Sequence, residues 1–109
     1  MDNTVEKALG LIGLAYRARK LEAGEQPVSR ALLEKRAKLV LLASDSAENT
    51  ARRAESWAET ANCPVLVLLV TKSRLGAALG REICALAAVT DAGIAKTLQQ
   101  RLANITHTP

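Results

Sequence analysis

The apolar residues of this chain recur at two spacings, one typical of helices and one typical of buried strands. Helical spacing first appears in residues 4–18, where one face is formed by Val5, Ala8, Leu9, Ile12, Ala15 and Tyr16. Gly10 and Gly13 lie within this predicted helix and are expected to allow close packing against a neighbour. The same spacing predicts four more helices, over 28–36, over 47–61, from Thr71 or Ser73 to Gly80, and from Thr90 or Asp91 onward.

Short apolar runs separate the helices and predict four strands, over 21–23, 39–43, 65–70 and 85–89. The run at 39–43 contains no polar residue, which is typical of a central strand covered on both faces. Because helices and strands alternate, we predict an α/β fold, a three-layer αβα sandwich with a mostly parallel or mixed sheet of about four strands and helices on both faces. We predict one domain over residues 1–104 and a C-terminal tail over 105–109.

Polar residues are concentrated where the predicted strands end. The turn from Gly24 to Pro27 precedes the second predicted helix, and a proline suits a first helical turn because its missing N–H has no helical partner there. After the strand at 39–43, the segment 44–46 (Ser-Asp-Ser) is predicted to cap the third helix. Ligands of open α/β sheets meet the loops at strand ends, so we expect a partner to be contacted at these loops.

Composition limits the class of protein more than its function. The chain has 109 residues, of which 49% are hydrophobic and 24% charged, and this suits one globular domain that needs no metal ion or disulfide to fold. Cys63 and Cys84 form no CxxC motif and are expected to be reduced, partly buried thiols. The sequence shows neither a signal peptide nor an apolar run of membrane length, so we expect a cytoplasmic protein with no membrane partner.

Signatures of enzymes are largely missing from the sequence. The single histidine, His107, falls in the predicted tail, which removes the usual general base and most zinc sites. Neither a GxxxxGK[ST] loop nor a GxGxxG turn follows a predicted strand. We therefore expect no catalytic residue, no metal and no cofactor. Asp45 and Asp91 each follow an apolar strand, where small α/β enzymes often keep a carboxylate, although helix capping accounts for both.

The charge of the chain permits an anionic partner. The net charge is +4 and the isoelectric point is about 9.4. Among the cations in the predicted loops, Lys20, Arg30 and Arg81 are expected to bind phosphates. Nucleic acid is therefore the partner that these loops favour, although basic loops are often only solvated.

Polar groups around Gly24 suit contacts to bases as well as to phosphates. Glu25 and Gln26 can accept and donate at base edges, and the helix that follows Gly24 offers N–H groups and positive potential. Only two aromatic residues, Tyr16 and Trp57, are present, so stacking of several bases on a sheet is not expected. We expect RNA to be recognised by its shape, its phosphates and polar edge contacts.

Four segments occur in a familiar order, AYRARKLEAGE at 15–25, AKLVLLASD at 37–45, LGAALGRE at 75–82 and AVTDAGIAK at 88–96. Together they resemble the kink-turn-binding ribosomal protein family (large-subunit protein L-seven-Ae and its relatives), and within it the bacterial YlxQ-type branch. The resemblance covers about residues 5–98. It implies an αβα sandwich with an RNA-binding, non-enzymatic role, whose ligand is a sharply bent RNA internal loop with sheared G·A pairs.

The resemblance also implies where the RNA would be bound. The family motif G-x-N-E-x-x-K meets the sheared pairs, and its glycine, asparagine and lysine correspond to Gly24, Gln26 and Arg30. Its glutamate falls on Pro27, which has neither a carboxylate nor an N–H, so Glu25 is the nearest substitute.

A second family element, the loop that packs on an extruded base, corresponds to residues 81–85. Arg81 and Glu82 would flank the RNA there, and Ile83 would supply the apolar contact.

These inferences predict a monomeric, cytoplasmic RNA-binding protein, associated with the ribosome or with translation, that holds a bent RNA without catalysing a reaction. Two alternatives stay open. One is a protein–protein interaction module on the same fold that has lost selectivity for RNA, which the departure at Pro27 suggests. The other is a small enzyme that uses Asp45 or Asp91.

Overall fold

Helices and strands alternate along the chain in the predicted order. The structure is a computed structural model that describes residues 4–106, with side chains as far as residue 102. Its elements are α1 (Thr4–Arg17), β1 (Leu21–Ala23), α2 (Glu25–Leu33), β2 (Leu39–Ala43), α3 (Glu48–Thr60), β3 (Val65–Leu68), α4 (Lys72–Ala78), β4 (Leu86–Val89) and α5 (Ala92–Thr106). Helix α5 thus enters the segment predicted as a tail, and His107 lies outside the described residues.

The four strands form one mixed sheet in the order β1-β4-β2-β3. Strands β2 and β3 are parallel, whereas β4 is antiparallel to both of its neighbours, β1 and β2. Helices cover both faces of the sheet. The predicted αβα sandwich is therefore confirmed, with the mixed form of the sheet.

The reversed direction of β4 follows from the shortness of α4. Seven helical residues span only about 10 Å. The chain then turns back, and the backbone N–H of Cys84 donates to the carbonyl of Lys72, the first residue of α4, at 3.0 Å. Strand β4 consequently starts beside the carboxyl ends of β2 and β3, and it runs antiparallel to β2.

Strand β2 is buried along its whole length, as its apolar sequence predicts. Successive side chains of a strand point to opposite faces, and here both faces are covered. Leu39 and Leu41 pack with α1, α4 and α5, whereas Val40 and Leu42 pack with α2 and α3. The small residues Ala54 and Ala58 of α3 are at most 1% exposed, so this helix lies close to the sheet.

Helix α2 begins three residues earlier than its apolar stripe predicts. The N–H of Val28 donates to the carbonyl of Gly24 at 3.1 Å, and this bond closes the first helical turn. Pro27 therefore lies inside that turn, where its missing N–H has no helical partner to satisfy. The prediction was late because the buried residues of α2 start only at Val28.

Two residues beyond the end of each of the helices α1 to α4 lies a residue in the left-handed conformation. These residues are Arg19 (φ 62°), Lys35 (φ 60°), Asn62 (φ 55°) and Gly80 (φ 74°). At the end of α4, for example, Gly80 N–H donates to Ala77 and Arg81 N–H donates to Gly76, which is the Schellman pattern. Glycine adopts this conformation without strain, so the other three residues carry a conformational cost.

Candidate nucleic-acid interface

The turn between β1 and α2 depends on Gly24, which has φ 102° and ψ 162°. Its N–H donates to the carbonyl of Leu86 in β4 at 3.1 Å, so the turn is fixed to the sheet. A Cβ at this position would lie 4.0 Å from Nη2 of Arg81, whose Nη1 is 3.5 Å from the carbonyl of Ala23. The guanidinium of Arg81 therefore lies beside the start of α2.

The loop 81–84 packs directly on α4. A Cβ on Gly76 would lie 2.7 Å from the Cα of Ile83 and 2.9 Å from its nitrogen, so only glycine fits beneath the loop. This support leaves the side chain of Ile83 56% exposed, and Glu82 is exposed beside it. We call the surface formed by Gly24, Glu25, Gln26, Arg30 and the loop 81–84 the Gly24 rim.

Helix α3 contributes a cation to this surface. Oε1 of Glu25 accepts two hydrogen bonds from Arg53, from Nε at 3.0 Å and from Nη2 at 2.7 Å. The side chains of Glu25 and Arg53 remain 40% and 49% exposed. Arg53 is not among the predicted site residues, because a cation on the exposed face of one helix gives no sign of which neighbouring helix it will meet.

A groove runs from the Gly24 rim between α2 and α3. It is an open groove with a volume of ≈ 450 Å³, lined by Glu25, Gln26, Ser29, Arg30, Leu33, Arg53 and Trp57. The side chain of Leu33 is 83% exposed at its far end. Cationic, polar and apolar groups therefore share one groove, which we call the α2–α3 groove.

Lys20 lies at the opposite end of β1 from Gly24. The strand has three residues and spans about 10 Å. The Nζ atom of Lys20 pairs with Oδ2 of Asp91 at 3.2 Å, and the Lys20 carbonyl accepts the N–H of Thr90 at 2.9 Å. Among the predicted site residues, Lys20 is thus the one that the fold separates from the Gly24 rim.

Asp91 caps α5, as predicted. Its Oδ1 accepts the N–H of Ile94 at 2.9 Å. This hydrogen bond and the contact with Lys20 lower the pKa of Asp91 below its ordinary value of 3.8. A general acid or base works best with a pKa near the operating pH, so the shift has the wrong direction for proton transfer.

Asp45 does not cap α3, and that prediction was wrong. Helix α3 starts after Ala47 without a side-chain cap. The Oδ1 atom of Asp45 instead accepts the N–H of Lys72, the first residue of α4, at 2.7 Å. Ser44 and Ser46 donate to backbone carbonyls at the ends of neighbouring strands, Ser44 to Val70 and Ser46 to Ala43 and Ala85. These polar groups therefore join loops at the strand ends.

The described part of the chain offers little to a metal ion or a thiol-based reaction. Within residues 4–106, no group of three or more His, Cys, Asp or Glu side chains could hold a metal ion. Cys63 and Cys84 are free thiols that form no disulfide, and burial raises the pKa of each above its ordinary value of 9.0. Across the same range, each helix is too short or too polar to traverse a bilayer.

Comparison with known proteins identifies relatives of this chain. Residues 6–99 match the ribosomal protein L7Ae/L30e/S12e/Gadd45 family. An RNA-binding protein named YlxQ from Bacillus subtilis (strain 168) is 39% identical over 88 residues, which are 81% of this chain and 87% of that protein. The YlxQ protein of Enterococcus faecium is 44% identical over 48 residues, which are 44% of this chain and 47% of that protein.

Solved structures show the same fold. A protein of unknown function from Bacillus halodurans C has a TM-score of 0.82 and 33% identity, covering 88% of this chain and 96% of its own. The 15.5kD RNA binding protein of Giardia lamblia has a TM-score of 0.72, covering 96% of this chain and 89% of its own. The latter is only 15% identical, so its similarity concerns the fold alone.

Proposed function

We propose that this chain, which belongs to the ribosomal protein L7Ae/L30e/S12e/Gadd45 family, binds a sharply bent, kink-turn-like RNA at the Gly24 rim. The observation that carries the proposal is the contact between Arg81 and the turn at Gly24. It brings a guanidinium next to the first turn of α2, whose N–H groups have no partner within the helix. Cation, helix dipole and exposed N–H groups together attract phosphate.

Each part of the rim has a distinct role in the proposed complex. Arg30 and Arg81 neutralise phosphates on the two sides of the bend. Gln26, in the first turn of α2, and Glu25 reach the edges of the non-standard base pairs. Ile83, held outward by the packing of its backbone on α4, contacts an extruded base or a sugar. No bond is made or broken, and the protein stabilises one shape of the RNA.

Pro27 determines which residues can read the bases. The resemblance places the family glutamate at this position, and proline has no side-chain acceptor there. Recognition of the base edges therefore falls to Gln26 and Glu25. The carboxylate of Glu25 is already bound by Arg53, so its orientation depends on α3. RNA of the translation apparatus is the partner class we favour, because the family description names ribosomal proteins.

The direct test is a binding titration with a kink-turn RNA and a straight duplex of matched composition. Each is titrated at about 50 mM and about 200 mM salt, a range over which phosphate contacts lose most of their affinity. We expect tighter binding to the kink-turn RNA at both salt concentrations and a clear fall in affinity at the higher one. Equal, weak affinity for both RNAs would contradict the proposal and favour the protein–protein interaction module.

A further inference from the structure

The α2–α3 groove presents two facing rows of side chains. Gln26, Ser29, Arg30 and Leu33 are spaced i, i+3, i+4 and i+7 on α2, and Arg53 and Trp57 are spaced i and i+4 on α3. The row on α2 spans about 10 Å. One end of the groove is part of the Gly24 rim, because Glu25, Gln26 and Arg30 belong to both.

We propose that this groove binds one unpaired nucleotide of the RNA held at the Gly24 rim, with its base stacked on Trp57 and its phosphate contacted by Arg30 and Arg53. This inference rests on the RNA binding proposed above. It adds a second contact surface, on α3, that the family motif at Gly24 does not include. It also gives a role to Trp57, the one tryptophan of the sequence.

The groove's mixture of groups argues for a nucleotide. A nucleotide combines a flat, largely apolar base with an anionic phosphate, and the groove offers an aromatic ring, an exposed leucine and two guanidinium groups. Stacking on aromatic side chains suits any base, since every base has a π-face.

The pair between Glu25 and Arg53 supports the same occupant. Two bonds from Arg53 to one carboxylate oxygen hold the guanidinium beside the first residue of α2. With Arg30 opposite, the groove holds two guanidinium groups against the one carboxylate of Glu25. The groove therefore carries more positive than negative charge, which favours a phosphate over an acidic segment. The ring of Trp57 adds a surface for stacking, so charge and stacking together favour a nucleotide over a neutral apolar segment.

The test uses the emission of Trp57 in the unmodified protein. A kink-turn RNA is titrated alongside copies in which each unpaired nucleotide in turn is made abasic. We expect the intact RNA to quench the emission at saturation. One abasic copy should fail to quench it and should bind about tenfold more weakly, which corresponds to about 1.4 kcal/mol.

Variants of Trp57 complete the test. Trp57→Leu should bind the intact RNA about tenfold more weakly and should bind that one abasic copy as the wild type does. Trp57→Phe should restore most of the affinity, because its ring can still stack. Tyr16→Phe, which changes the aromatic residue of α1, is the control and should alter neither the RNA affinity nor the quenching of Trp57 emission. If Trp57→Leu does not fold, the wild-type emission still decides the question.

The outcomes separate this inference from the proposed function. Selective binding of the kink-turn RNA with unchanged Trp57 emission, and equal affinity of Trp57→Leu, would overturn this inference alone. That result would instead favour a protein segment as the occupant of the α2–α3 groove. Absence of selective RNA binding by the wild type would overturn both proposals.

Discussion

The carboxylate of Asp45, just beyond β2, accepts the backbone N–H of Lys72 at a distance of 2.7 Å. This bond joins the loops that follow two parallel strands, β2 and β3. The carbonyl of the same Lys72 accepts the N–H of Cys84, which ends the loop 81–84. One residue of α4 therefore links the loop after β2 to the loop of the Gly24 rim.

Removal of this carboxylate should affect stability more than RNA binding. Asp45→Ala leaves a first-turn N–H of α4 without its acceptor, and loss of such a contact costs about 1 kcal/mol. We expect a reduction of that size in the free energy of unfolding, and an RNA affinity that changes less. Ser73→Ala, at an exposed position of α4, is the control. A thermal melt beside an RNA titration checks both expectations, and unchanged stability would disprove the capping role.

Glycines inside helices should respond to alanine in opposite directions. A Cβ on Gly10 meets nothing within 4 Å, which contradicts the expectation of close packing there. Gly10→Ala should therefore stabilise the protein by up to about 1 kcal/mol, the difference in helix propensity. A Cβ on Gly76 would lie 2.7 Å from the Cα of Ile83, and one on Gly13 would lie 2.6 Å from the carbonyl oxygen of Ala78, as expected for close packing.

Gly76→Ala should lower the free energy of unfolding by about 1–3 kcal/mol, the range for overpacked sites. It should also weaken RNA binding, because the loop that carries Ile83 must move. Denaturant unfolding of Gly10→Ala and Gly76→Ala under the same conditions measures the contrast. Equal effects of the two substitutions would show that the loop 81–84 does not restrict the side chain at position 76.

Arg30 should contribute one phosphate contact to the complex. Arg30→Ala is expected to weaken binding of all RNAs and to reduce the slope of log affinity against log salt by about one unit. Arg101→Ala, an exposed arginine on α5 across the sheet, should leave the slope unchanged. Titrations at four or more salt concentrations provide the slopes. If the slope for Arg30→Ala equals that of the wild type, Arg30 contacts no phosphate.

The left-handed residues at the helix ends offer a test of backbone strain. Lys35→Gly, at φ 60°, should raise the free energy of unfolding by about 0.5–1 kcal/mol, since relief of strain outweighs the added freedom of the unfolded chain. Gly80→Ala, at φ 74° and with nothing within 4 Å of its Cβ, should lower it by about 1 kcal/mol. Urea unfolding of both variants measures these free energies. If Lys35→Gly is less stable than the wild type, the stabilisation lost with the lysine side chain exceeds the backbone strain that glycine relieves.

Acidification should weaken the cap of α5. The N–H of Ile94 and the contact with Lys20 lower the pKa of Asp91 in the folded chain, so its ionised form stabilises the fold above the ordinary pKa of 3.8. This contribution disappears as the pH falls through the lowered value. Asp91→Asn should therefore melt at a lower temperature than the wild type at pH 7 and lose less on acidification. Melting temperatures between pH 2 and pH 7 check this, and parallel curves for the two proteins would refute it.

The sequence predicted most clearly what depends on local patterns. The apolar run 39–43 matches the fully buried strand β2 residue for residue. The caps at Thr71 and Asp91 were each one of two predicted candidates, the others being Ser73 and Thr90, because each is followed closely by its helix. The start of α2 was placed too late, since the buried residues of this helix begin only at Val28.

Contacts between distant segments were harder to predict. The pair of Glu25 with Arg53 depends on how α2 and α3 pack across β2, which the pattern of either helix does not specify. The bond from Asp45 to α4 likewise arises because β2 and β3 are neighbours in the sheet. The separation of Lys20 from Gly24 was readable from the sequence, because a strand of three residues lies between them.

The position of β4 has a consequence for how a nascent chain acquires this structure. Strand β1 pairs with β4 through Leu21 and Val89, and β4 also lies between β1 and β2. Until Val89 has been synthesised, β1 has no strand to join and the turn at Gly24 lacks the carbonyl of Leu86. Strand β1 and the turn at Gly24 can therefore complete their pairing only after β4 has been synthesised. A translation product that stops before residue 86 would lack an assembled Gly24 rim.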